Sequence, residues 1–149
     1  MTSSSTHLEI PEPRLIPVYR LDGEFAGEPL DVGDVGAGHR RIVPLAGGTF
    51  TGPALNGKLL PGSNDWQIVL RDGTTLLDIR YTLQTDDGAF LYVQSRGVRQ
   101  GADPSEYILR TSTQIETGSR DLDWLNKGLF ISIGRLRPGG VIWDIYRVE

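Results

Sequence analysis

Glycine and proline interrupt this chain so often that the longest stretches free of both are Thr74 to Asp87 and Ser105 to Thr117. A helical domain needs several longer segments with apolar side chains recurring every three or four positions, and neither stretch has that spacing. In the first, Leu77, Ile79, Tyr81 and Leu83 alternate with Asp78, Arg80, Thr82 and Gln84. A period of two belongs to a strand with one dry face. In the second, Tyr107, Leu109, Thr111, Thr113 and Ile115 alternate with Ile108, Arg110, Ser112, Gln114 and Glu116, and the latter set is mostly polar.

Turn signals join such runs into hairpins. Asp72-Gly73 links Trp66–Arg71 to Thr74–Thr85, Asp87-Gly88 leads into Ala89–Ser95, Arg96-Gly97 reads as a further corner, and Pro138-Gly139-Gly140 links Leu129–Leu136 to Val141–Val148. Leu15–Leu21 and Arg41–Leu60 complete the set, the second broken by Gly47, Gly48, Gly52, Pro53 and Gly57 into bulged or bent strands. A short helical turn is expected at Leu122 to Asn126, capped by Asp121 or Asp123. About eight or nine antiparallel strands with almost no helix predict a sandwich or a closed barrel. Closure is favoured because it removes sheet edges that no helix is available to cover. The expectation is an all-β fold: a single antiparallel closed barrel over residues 15–149 behind a flexible tail, residues 1–14.

Composition narrows the functional classes. With 19 Gly and 9 Pro among 149 residues, the chain stays below the roughly 25–30% of these residues that marks disorder. It is of a size to bury about 68–70% of its unfolded surface as one domain. The absence of cysteine excludes disulfides, thiol nucleophiles and thiolate metal sites. A net charge of -4 without a basic stripe argues against nucleic acid as a partner, and Arg40-Arg41 reads as the solvated start of a strand. The N-terminus lacks the charged and apolar regions of a signal peptide, and no apolar run is long enough to cross a membrane as a helix. A cytoplasmic protein with no membrane partner is therefore expected.

Compact catalytic motifs are missing. Gly36–Arg41 fails the dinucleotide fingerprint, and there is no phosphate loop or nucleophile elbow. His7 and His39 lack a third nitrogen ligand, and Asp86-Asp87-Gly88 reads as a turn, so neither a metal nor a cofactor is expected. What remains is a set of polar and aromatic side chains on strands: Asp65, Trp66, Arg80, Tyr92, Arg110, Glu116 and Trp124. In a barrel with a lumen, convergent polar groups against aromatic walls make a binding site. Glu116 is the candidate proton-transfer group, with Arg80 or Arg110 to stabilise developing negative charge. The same alternation also fits solvent-facing rungs, Trp66 and Trp124 also fit the core or a lid, and Asp65 also fits a turn.

The strings RRIVPLAGGTFTGPALNGKLLPGSNDWQ, DIRYTLQTDDGAFLYVQSRG, SEYILRTSTQIETG and DWLNKGLFISIGR, in this order, resemble the uncharacterised family known as domain of unknown function 3237, also called the UPF 0311 proteins. The resemblance runs from about Leu15 to Val148. It implies a calycin-like (lipocalin-like) β-barrel and brings no established activity. Elements shared with the family include the Asp65-Trp66-Gln67 step, Tyr81, Tyr92, Arg110-Thr111, Glu116-Thr117 and Trp124-Leu125-Asn126, and a pocket is expected among them. Asp65, Trp66, Tyr81, Tyr92 and Trp124 are thus the expected ligand contacts. Two departures stand out: Ala37-Gly38 where the family often has a His-Gly pair, and a short Gly97–Tyr107 loop that would leave one rim of the barrel open.

Three functions fit this reading. The first is a cofactor-independent isomerase, cyclase or lyase acting on a carbonyl-bearing or aromatic metabolite. The second is a non-catalytic small-molecule-binding protein, and the third a pocketless structural or interaction protein. Strand edges left open at a seam could pair two copies into a homodimer.

Overall fold

The computed structural model describes residues 8–149. Ten strands follow one another: β1 (Leu15–Phe25), β2 (Leu30–Asp34), β3 (His39–Thr51), β4 (Gly57–Leu59), β5 (Ser63–Val69), β6 (Thr75–Thr85), β7 (Phe90–Gln100), β8 (Ile108–Thr117), β9 (Phe130–Arg137) and β10 (Gly140–Val148). The pairing is antiparallel throughout and runs β1–β10–β9–β8–β7–β6. From β6 it passes through β4 and β5 to β3, and β3 pairs with β1 to close the circle. Eight strands form the closed barrel, and β2 and β4 are short additions. β4 and β5 continue one line along β3, with Leu59 opposite Gly48 and Ser63 opposite Leu45. Leu60-Pro61-Gly62 is the interruption between them, as expected where proline removes a ladder donor.

Alternation decides what faces inward. Leu77, Ile79, Tyr81 and Leu83 of β6 are buried, as are Leu109, Thr111, Thr113 and Ile115 of β8, while their intervening neighbours face outward. Tyr19, Leu21, Phe50, Leu91, Val93, Phe130 and Ile145 join them in one continuous core. The 3-10 turn Asp123–Lys127 covers one end of the barrel, inserting Leu125 into that core. Asn126 holds it there through both backbone groups of Thr117, accepting from its N–H at 2.8 Å and donating to its carbonyl at 2.9 Å. This turn lies where the sequence places it, but neither expected cap applies: Leu122 occupies the cap position, and Asp123 instead accepts from the Asn126 amide.

Two other expectations change. Gly73, Gly88 and Gly139 are hairpin corners with positive φ, whereas Gly97 lies inside β7, which runs unbroken to Gln100. A Cβ at Gly97 would sit 1.9 Å from the Arg110 carbonyl oxygen. The glycine is there so that β8 can approach, not to turn the chain. β2 is an additional strand, paired only with β3. Of the expected tail, residues 1–7, with His7 among them, lie outside the described residues, and residues 8–14 precede the first strand and are exposed. Arg14 is tied to the other end of the chain, exchanging backbone hydrogen bonds with Glu149 and pairing with its carboxylate at 3.0 Å.

Candidate functional site

A cavity of about 380 Å3 opens at the end of the barrel opposite the Asp123–Lys127 turn. The end of β1 (Phe25), the β1–β2 connection (Glu28, Pro29) and the β7–β8 connection (Pro104, Tyr107) form its rim. Its walls are mostly apolar: Val43 and Leu45 from β3, Ile79 from β6, Leu109 from β8, and Val141 and Trp143 from β10. Trp143 has room because Gly134 stands opposite it on β9; a Cβ there would meet the indole at 2.8 Å.

Four polar side chains interrupt this wall. Arg41, Asp65, Gln67 and Arg99 all line the cavity, and the register explains why. Arg41 lies opposite Gln67 and Asp65 opposite Val43 across β3 and β5, while Arg99 lies opposite Leu109 across β7 and β8, so each shares its parity with inward-facing positions. The first three form a hydrogen-bonded chain: Arg41 Nη2 donates to Gln67 Oε1 at 3.3 Å, and Gln67 Nε2 donates to Asp65 Oδ2 at 2.8 Å. The Asp78 backbone N–H donates to the other carboxyl oxygen at 3.1 Å. Arg99 lies over the Tyr107 ring, 4.0 Å from its centroid.

Burial dominates the titration of Asp65. It pushes the carboxyl up to about 6, against the opposing effects of its two hydrogen bonds and the charge of Arg99. Burial likewise holds Arg99 below its ordinary value; the neighbouring charge of Arg41 adds to this, and Tyr107 and Asp65 oppose it. A carboxyl that exchanges its proton near neutrality, beside two guanidiniums in a largely apolar cavity, can donate or accept a proton while a nearby oxyanion is stabilised.

Below the cavity the interior is packed and its polar groups are paired. Tyr81, one inward position beyond Ile79, shares a 2.7 Å hydrogen bond with Tyr19, and burial raises both phenols. Across β7, β8 and β9, Thr113 bonds Ser95 at 2.8 Å and Ser132 at 2.6 Å in a buried hydroxyl ladder.

Of the residues singled out in the sequence, Asp65 lines the cavity, and so does Gln67 of the same Asp65-Trp66-Gln67 step. Tyr81 is buried in the core below it. The expectation that Arg80, Arg110 and Glu116 converge in the lumen does not match their placement, because all three occupy the outward parity of β6 and β8 and are exposed. Arg80 lies 5.9 Å from the centroid of Trp66, which also faces outward from β5. Tyr92 and Glu116 are brought together, as partners across β7 and β8, but on the outer surface in a shallow depression floored by Thr82 and Phe90. Trp124 packs against the covered end of the barrel, with the Arg147 guanidinium 5.6 Å from its ring centroid. Arg41, Arg99, Tyr107 and Trp143 line the cavity without being among the candidates that the sequence offers. The available signal was parity, since Arg41 alternates in phase with Val43 and Leu45.

Fold and site together define a closed antiparallel β-barrel with a cavity at one end. Residues 13–148 match the family described as "Protein of unknown function (DUF3237)", and the chain belongs to it. A UPF0311 protein of Rhodopseudomonas palustris (strain TIE-1) is 33% identical over 135 residues, covering 82% of this chain and 88% of the relative. One from Clostridium acetobutylicum is 32% identical over 125 residues, covering 75% and 79%. Among solved structures, a β-barrel-like protein from Acinetobacter baumannii AYE superposes with a TM-score of 0.88 at 33% identity, over 96% of this chain and all of the other. The fold extends to a protein from Penicillium herquei described as an enzyme, with a TM-score of 0.77 at 20% identity over 96% of this chain and 99% of the other. Among the described residues no helix is long and apolar enough to cross a membrane.

Proposed function

We propose that this barrel is a cofactor-independent proton-transfer enzyme, an isomerase, cyclase or lyase, acting on a small carbonyl-bearing or aromatic metabolite held in the cavity. The proton-transfer role passes from Glu116 to Asp65, and charge stabilisation from Arg80 and Arg110 to Arg41 and Arg99. The observation that carries the reading is the buried Asp65 carboxyl, brought to about 6 and lining the same cavity as two guanidiniums. A general acid or base works best when its pKa lies near the working pH. The cavity volume falls within the about 300–1,000 Å3 of ordinary small-molecule sites, which disfavours a pocketless interaction protein. The substrate would be met in the cytoplasm, without nucleic acid or membrane as partner.

The experiment is deuterium exchange. A panel of aryl ketones, β-diketones and α-keto acids is incubated with the protein in D2O at neutral pH and followed by proton NMR. We expect accelerated exchange of the acidic C–H in at least one compound, lost in Asp65→Asn while that compound still raises the melting temperature. Full exchange in Asp65→Asn would refute the role of Asp65. Compounds that bind without exchanging, cyclising or eliminating would leave a non-catalytic binding protein.

A further inference from the structure

Lacking a carboxylate partner matters little to an arginine in water: Arg20, Arg96, Arg135 and Arg147 on the outer surface have one, and exposed Arg71, Arg110 and Arg120 have none among the described residues. Arg41 and Arg99, drawn into the cavity wall, make no ion pair among the described residues. Arg41 spends one long hydrogen bond on the neutral Gln67 amide, and its Nε is buried with no acceptor. The guanidinium of Arg99 is stacked on Tyr107.

Two other ionisable groups besides Tyr107 face this pair. Asp65 is occupied by Gln67 and the Asp78 N–H, and Glu28 stands exposed at the rim. A half-buried guanidinium without an acceptor is costly. The missing acceptor fits a flat, two-oxygen anion, which arginine holds through paired N–H donors.

We propose that the cavity takes an organic monoanion, its two carboxylate oxygens held by Arg41 and Arg99 and its ring-bearing apolar body lying against Trp143, Leu109 and Val141. This rests on the small-molecule cavity proposed above but not on catalysis. It also sets a pH dependence. Asp65 is faced by Arg99 and, from β6, by the charge of Asp78, which like burial favours its protonated form. As Asp65 gains a proton the cavity becomes more positive, so binding of a carboxylate tightens from pH 8 to pH 6.

The test uses the full chain and two probes of matched shape, 2-naphthoate and the neutral 2-naphthamide, titrated calorimetrically. 2-Naphthoate is expected to bind about tenfold or more tightly than the amide. Arg41→Met and Arg99→Met are each expected to weaken it by about tenfold or more, with Arg99→Lys losing less than Arg99→Met. Equal binding of acid and amide overturns the anion inference while the cavity reading stands, and that comparison needs no variant to fold. Binding of neither probe overturns both. Folded methionine variants that hold 2-naphthoate as tightly as the wild type overturn the assignment to these two arginines.

Discussion

Asp65→Asn is expected to change how stability depends on pH, and the sign follows from which physical effect governs the buried carboxyl. In the folded protein its pKa is raised from 3.8 to about 6. Between those values the native state holds a proton that the unfolded chain has released. The contribution of Asp65 to stability is therefore fully present below about pH 4 and is lost as pH rises through 6. A shift of about two units corresponds to about 3 kcal/mol. Asparagine carries no charge, so the stability of Asp65→Asn minus that of the wild type is expected to climb by about 3 kcal/mol from pH 4 to pH 7.5 and then level off.

A constant offset lies beneath this slope. The asparagine carbonyl can accept from only one of the two donors that now face the carboxyl, and the stranded donor costs about 1–3 kcal/mol at every pH. Taking the difference between the two proteins cancels the titration of all other groups that the substitution leaves unchanged. The assay is urea unfolding followed by tryptophan fluorescence at half-unit steps of pH. A difference flat to within about 0.5 kcal/mol, or one that falls as pH rises, would refute the reasoning. A fall would mean that Arg41 and Arg99 outweigh burial at this site.

Gly134→Ala would place a Cβ at 2.8 Å from the Trp143 ring. The displaced indole can move only towards the cavity, so a stability loss of about 1–3 kcal/mol is expected, accompanied by weaker 2-naphthoate binding measured on protein shown to be folded. Thr113→Val removes the partner of both Ser95 and Ser132, at about 1–3 kcal/mol for each stranded hydroxyl. Combining it with Ser95→Ala and Ser132→Ala is expected to recover most of that loss in urea midpoints.

Much of the fold is legible in the amino-acid order because a barrel strand alternates visibly. The two dry faces of β6 and β8 are apparent as Leu77-Ile79-Tyr81-Leu83 and Leu109-Thr111-Thr113-Ile115, and the glycine corners at 73, 88 and 139 follow from turn chemistry. Gly97 misleads because a glycine required by a neighbouring backbone looks, in sequence, like a glycine required by a turn. The site is less legible for a related reason. Searching the polar face of each strand for functional groups selects Arg80, Arg110 and Glu116, the residues that alternation sends to water. The cavity instead takes its polar groups from positions in phase with apolar residues: Arg41 with Val43, and Arg99 with Leu91 and Val93 further along β7. Asp65 stood out because it adjoins Trp66, although the indole itself faces outward. The pairing of Arg99 with Tyr107 spans two elements, and no local pattern announces it.

The seam that closes the barrel joins the first strand to the last, with Leu15 opposite Val148 and Gly23 opposite Val141. Pairing residues so far apart in the chain places folding on the slower side, on the order of milliseconds to seconds. During synthesis β1 can pair along one edge with β3, but its other edge must wait, open, until β10 has left the ribosome. Val141 and Trp143 belong to β10, so the cavity has no far wall until that strand is in place. A chain with β10 missing or undocked would therefore lack that wall of the cavity, and a molecule held there would favour the closed barrel over the open one.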